Sequence, residues 1–311
     1  MISSFFGKTQ PIHYIILLGF IFIFFWVVQL LTVSDIVSVS YVLPNLLHAG
    51  ILLMTIYLAD VMAKRGKMTD QSAYFLLFIT LQCLLFPQTL ANPKGIWAQF
   101  FLLLAIQRLL DAKNLKNIKH KVFDGALFIC IASLFCAWAL LFFILVFFTV
   151  NTYAPKSFKT WLSAVAGILT FMLLAYFILL LIDDGGYVVE HYRFKIDFQR
   201  LRLKFTEKLD FKVLAYILLV IIFGVIDFVK YSKKGGGKII LFRFMLLYFT
   251  IALMVNLLDT SEGSYLILAF IPAAIFLSNY VQTIKKARFK ESILAAFLVV
   301  GMVLALFEFL V

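Results

Sequence analysis

The 311-residue chain is 64% hydrophobic, 17% aromatic and 14% charged, and 36 of its residues are Phe. A soluble domain is about half apolar and a quarter charged, so composition excludes an ordinary globular protein and points to a polytopic membrane protein. The net charge of +12, from 28 Lys and Arg against 16 Asp and Glu, is concentrated in short loops between apolar runs. There it sets orientation across a membrane and is no signature of nucleic-acid binding.

Charged or Pro/Gly-rich breaks delimit apolar segments near 12–31, 44–63, 71–90, 96–110, 122–150, 161–182, 212–229, 239–258, 264–283 and 291–311. The first follows Lys8 and is about twenty residues long, longer than the apolar stretch of a signal peptide, and no small-x-small cleavage site follows it promptly. It reads as a retained anchor. The three cysteines, Cys83, Cys130 and Cys136, all lie inside apolar stretches with no CxxC pair, which argues against disulfides and structural zinc. The paired Phe142-Phe143 and Phe147-Phe148 read as lipid-facing or packing residues.

Segment 122–150 decides the topology. It is long for one span of about twenty residues and short for two. If it crosses once, the basic clusters at 64–70 and 108–121 fall on one side and those at 230–238 and 285–290 on the other. A hairpin of two half-length helices turning near Ser133–Trp138 puts all four clusters on one side, as the positive-inside rule requires. The expected fold is therefore an all-α transmembrane bundle of about 11 helical segments, forming one integral-membrane domain over 1–311. Its N-terminus is expected inside and its C-terminus outside.

The one sizeable extramembrane piece is the outer loop at 183–211. Alternation in Tyr192, Phe194, Ile196 and Phe198 suits a strand, whereas the spacing of Phe194, Phe198, Leu201, Phe205 and Leu209 suits a helix lying in the interface. The helix is the favoured reading. Further on, Lys233-Lys234-Gly235-Gly236-Gly237-Lys238 lacks phosphate-loop spacing and reads as a flexible turn.

The order of spans, loops and hairpin resembles the membrane module of GT-C-type glycosyltransferases. Two stretches carry the likeness locally. One runs from Phe123-Asp124-Gly125-Ala126-Leu127 through Ala132-Ser133-Leu134-Phe135, and the other is Gly263-Ser264-Tyr265-Leu266-Ile267-Leu268-Ala269-Phe270-Ile271-Pro272. The chain is also similar overall to an uncharacterised family of polytopic inner-membrane proteins of Bacteroidota. The first resemblance implies handling of a lipid-linked sugar, with an acidic catalytic residue in the first outer loop. Asp35 is the sole carboxylate of that short loop, about Thr32–Leu43.

Several residues carry candidate chemistry. Asp35 would act as a general base if a sugar acceptor came within hydrogen-bond reach, or else as a solvated cap beside Ser34. His48, just past Pro44 and Asn45 in the second span, is an ionisable group at membrane depth and so a functional candidate by default. Asp183 and Asp184 could hold a divalent cation bridging to a diphosphate, although Gly185-Gly186 after them also suits a plain helix stop. Arg193, Lys195, Arg200, Arg202 and Lys204 place cations among aromatics on the outer face, against the orientation bias, and suit phosphate headgroups. Asp227 and Arg243 read as a snorkelling or mutually paired couple near the inner surface.

Two readings of function follow. One is a reduced GT-C-like protein that binds or processes a polyprenyl-phosphate-linked sugar at the outer face, with membrane lipids as partners and no cofactor beyond a divalent cation. If catalytic, it would be a lipid-linked-sugar glycosyltransferase. The other is a non-catalytic subunit of an inner-membrane complex with a membrane-protein partner. Secondary transport lacks the paired Gly/Pro breaks of internal repeats, and no nucleic-acid partner is expected.

Overall fold

A computed structural model describes residues 5–32, 39–182, 191–192, 194, 211–234, 237–259 and 264–310. Among these residues it is all-helical, with 11 α-helices. In chain order they are α1 (Pro11–Thr32), α2 (Val39–Arg65), α3 (Tyr74–Leu85), α4 (Pro93–Asp111), α5 (Ile118–Ser133) and α6 (Phe143–Tyr153). There follow α7 (Phe158–Ile182), α8 (Phe211–Lys234), α9 (Lys238–Leu258), α10 (Phe270–Thr283) and α11 (Ala287–Leu310). Seven of the apolar helical stretches are long enough to cross a membrane. The chain is built as a multi-pass membrane protein.

Segment 122–150 does fold back. α5 ends at Ser133, a tight turn follows through Leu134–Cys136, and a 3₁₀ stretch (Ala137–Phe142) leads into α6. α6 packs on α5 and also touches the turn Ala112–Asn114 that precedes α5, so it has returned to the level where α5 began. Small residues let α5 sit between two neighbours. A Cβ on Gly125 would come 2.8 Å from Leu109 Cδ2 of α4, and one on Gly167 of α7 would come 2.8 Å from the Phe123 carbonyl of α5. Without a hydrophobic force between helices in lipid, such close backbone approach is what joins them.

The turn fixes two ends of the bundle. At the tip end, Gln29 Nε2 of α1 donates to the Leu90 carbonyl (3.3 Å) and Asn92 Nδ2 donates to the Ser264 carbonyl (3.2 Å). Asn92 also caps α4, accepting from Gly95 N at 3.2 Å with Pro93 in the first turn. These are the residue types a helix start prefers. At the opposite, basic end, Lys113 Nζ donates to the Gly66 carbonyl (3.3 Å) and Lys121 Nζ to the Asp111 carbonyl (2.8 Å). Cations there meet the unpaired carbonyls of helix C-termini.

α3 and α10 form the centre. Every α3 residue from Tyr74 to Leu84 is buried, and α3 packs on α1, α2, α10 and α11. α10 is buried from Phe270 to Asn279 and packs on α3, α8 and α9. α7, in contrast, has only 6% of its spanning stretch buried and meets the bundle through α5 and α6.

Candidate functional site at the hairpin tip

Breaking a helix at Ser133 frees carbonyls that lipid cannot satisfy. Side chains from distant parts of the chain take them up. His191 Nε2 lies 2.7 Å from the Ser133 carbonyl, an acceptor, so this ring nitrogen carries the proton and donates. Tyr265 OH donates to the Phe135 carbonyl at 3.1 Å. Ser133 Oγ donates to the Cys130 carbonyl (2.6 Å) and sits 2.8 Å from Tyr192 OH. Cys136 Sγ points at Asp259 Oδ2, 3.7 Å away. Asn256 Oδ1 accepts from Tyr265 N at 2.9 Å and so orders the start of the segment leading into α10.

Aromatic rings surround this network. Trp97 stacks on Phe135 (5.5 Å, 7°), and Phe101 stacks on both Trp97 and Phe135 at 6.1 and 5.9 Å. Trp138 meets Phe194 edge-on at 5.1 Å. Three described residues of segment 183–211, His191, Tyr192 and Phe194, are thus held on the fold-back by two hydrogen bonds and a ring contact.

Of the residues singled out by sequence, His48 is half-buried near the start of α2, with Nδ1 3.4 Å from Asn45 Oδ1 on the same helix. Asp35, Asp183, Asp184, Arg193, Arg200, Arg202 and Lys204 lie outside the described residues, as does most of segment 183–211, where the sequence favours an interfacial helix. Among the described residues no group of three or more His, Cys, Asp or Glu is arranged to hold a metal ion.

A pairing of Asp227 with Arg243 is not found. Asp227 is fully buried with neither carboxyl oxygen hydrogen-bonded among the described residues, whereas Arg243 is exposed. Asp227 follows Gly224, which faces Phe276 of α10 and Leu246 of α9, and so lies on the inward face of its helix.

The interior between α2, α3, α4 and the start of α10 contains a cavity of about 20 Å³. It is lined by Thr55, Cys83, Gln99 and apolar residues, and is the size of a water and far below that of a sugar.

At the basic end a second polar group went unnoticed in the sequence. Lys64 Nζ lies 2.7 Å from Asp60 Oδ2 and 3.2 Å from Tyr14 OH, while Tyr14 OH also donates to Asp60 Oδ2. Asp60 is fully buried and Lys64 is 9% exposed. Its available signal was the i, i+4 spacing of an acid and a lysine inside an apolar helix. Nearby, Lys290 Nζ sits 4.5 Å from the Tyr74 ring centre, and burial lowers its ammonium below the usual lysine value against a smaller opposing pull from Asp70. The tip network had no comparable signal, because its members are far apart in sequence.

The sequence model of a family described as "Family of unknown function (DUF6427)" matches residues 12–310 of this chain. No curated protein and no solved structure matches it.

Proposed function

The chain belongs to the DUF6427 family of unknown function, and on its own residues we propose that it binds an isoprenoid-phosphate lipid at the tip end. In this reading the basic end is cytoplasmic, the tip end faces the periplasm, and the protein resides in a bacterial inner membrane with its N-terminus inside and C-terminus outside. The observation that carries it is the docking of His191, Tyr192 and Phe194 on the hairpin tip. Arg193 lies between two of these residues in sequence, and Arg200, Arg202 and Lys204 follow within the same loop. Cations in a segment whose aromatics dock at a membrane surface suit a phosphate headgroup, and guanidinium forks match its oxygens. The lipid would be polyprenyl-phosphate-like, with or without a sugar. A GT-C-like transfer would further require Asp35 as base, and a divalent cation, if used, would fall to Asp183 and Asp184.

The test is lipid extraction from protein purified in mild detergent, followed by mass spectrometry. A polyprenyl phosphate should co-purify. Changing Arg193, Arg200, Arg202 and Lys204 together to Gln should remove it while leaving the melting temperature unchanged. Absence of that lipid from the folded protein, with unaltered surface glycans in a deletion strain, refutes the proposal.

The sparse burial of α7 supports a second reading, a non-catalytic subunit of a membrane complex that covers this helix. Pull-downs in mild detergent that return only this chain count against that reading.

A further inference from the structure

We infer that Asp227 is a proton-binding site of the bundle, a carboxyl carried as the neutral acid at the α8–α10 interface and exchanged with water at the basic end. The side chain is 0% exposed, and neither oxygen has a hydrogen-bond partner among the described residues. The surroundings are closely packed. One turn earlier, a Cβ on Gly224 would stand 3.3 Å from both Phe276 and Leu246, and the Phe223 ring stacks on Tyr280 at 4.0 Å. An anion in this position has lost its hydration and gained no donor in return, whereas the protonated acid carries no charge to solvate.

Asp60 shows how the same bundle places a carboxyl beside a cation: a lysine at 2.7 Å and a phenol lie directly against it. Asp227 has no salt bridge among the described residues. Its counter-charge is then a bound proton.

The charged and titratable groups around it outline the exchange route. On α8 itself, Lys230 acts electrostatically on Asp227, and Tyr231 lies within electrostatic reach of both Asp227 and the exposed Asp70. From α9, Lys238 Nζ stands 5.6 Å from the centre of the Tyr231 ring, while Arg243 is exposed. From α10 come Tyr280 and the amide of Asn279, whose Nδ2 is likewise buried without a partner. Asp70 is held near α10 by a hydrogen bond from its backbone N–H to Gln282 Oε1 (3.4 Å).

The experiment uses the full chain in membranes and dicyclohexylcarbodiimide, an apolar reagent that needs a protonated acid. The acid proton passes to a carbodiimide nitrogen as the carboxyl oxygen bonds to the central carbon. The resulting O-acylisourea rearranges to a stable N-acylurea, consuming nothing else. Peptide mapping at neutral pH should find the adduct on Asp227 at about tenfold or more the yield on Asp60. A water-soluble carbodiimide with an added amine should label Asp70 and spare Asp227. Asp227→Asn should lose the adduct and keep the wild-type melting temperature. Wild-type protein that stays unlabelled at Asp227, or is labelled there equally by the water-soluble reagent, overturns the inference. Because the wild-type labelling decides by itself, a poorly folding variant leaves the test intact.

Discussion

Asp60 meets its lysine one turn along α2, and Tyr14 from α1 closes the group from the other side. Removing one member of a buried pair leaves the other uncompensated, which costs far more than the pair itself contributes. Asp60→Asn should therefore lower unfolding stability by about 3 kcal/mol, and the double variant Asp60→Asn, Lys64→Met should recover much of it. Thermal unfolding in detergent measures both. Equal melting of the single and double variants would show that Lys64 reaches water without its partner. At this scale the sequence was legible in kind but not in pairing. The ionisable residues in apolar segments could be named, yet which carboxylate had a cation against it depended on helix rotation. Asp227 and Arg243 had the spacing of neighbours and face different ways.

The hairpin is the element on which the arrangement turns. Its fold-back was readable because charge balance and span length both demanded it. The residues that secure it were not, since His191 and Tyr265 reach Ser133 and Phe135 across 58 and 130 positions of chain. The packing of α5 between α4 and α7 rests on Gly125 and Gly167, whose role depends on which helices become neighbours. Gly167→Val would drive a side chain into the Phe123 carbonyl, 2.8 Å from its Cβ, and into Ala126 at 3.1 Å. Overpacking of this kind should cost about 1–3 kcal/mol. Gly19→Ala, with nothing within 4 Å, should be neutral or slightly stabilising. Melting temperatures of the two variants separate a packing role from a general intolerance of glycine replacement.

For the whole molecule, segment positions and the number of helices were legible from hydropathy, because lipid forces each spanning backbone to satisfy itself. The order of burial was not: α3 and α7 are both apolar, yet one is enclosed and the other almost bare. The sidedness has a direct check. The native cysteines are all buried, so Lys156→Cys, at an exposed position, supplies a single accessible thiol. A membrane-impermeant maleimide added to intact cells should leave it unmodified and should label it after lysis. Labelling in intact cells would reverse the proposed orientation and remove the periplasmic lipid site with it.

The enclosure of α3 also constrains how the protein is made. It is synthesised well before two of the helices that cover it, α10 and α11. Until then α3 lacks two of the helices that it packs on. A nascent chain stalled before α10 therefore presents an open groove in the bilayer, a natural place for an insertase or chaperone to hold it and for a membrane protease to recognise an unfinished product.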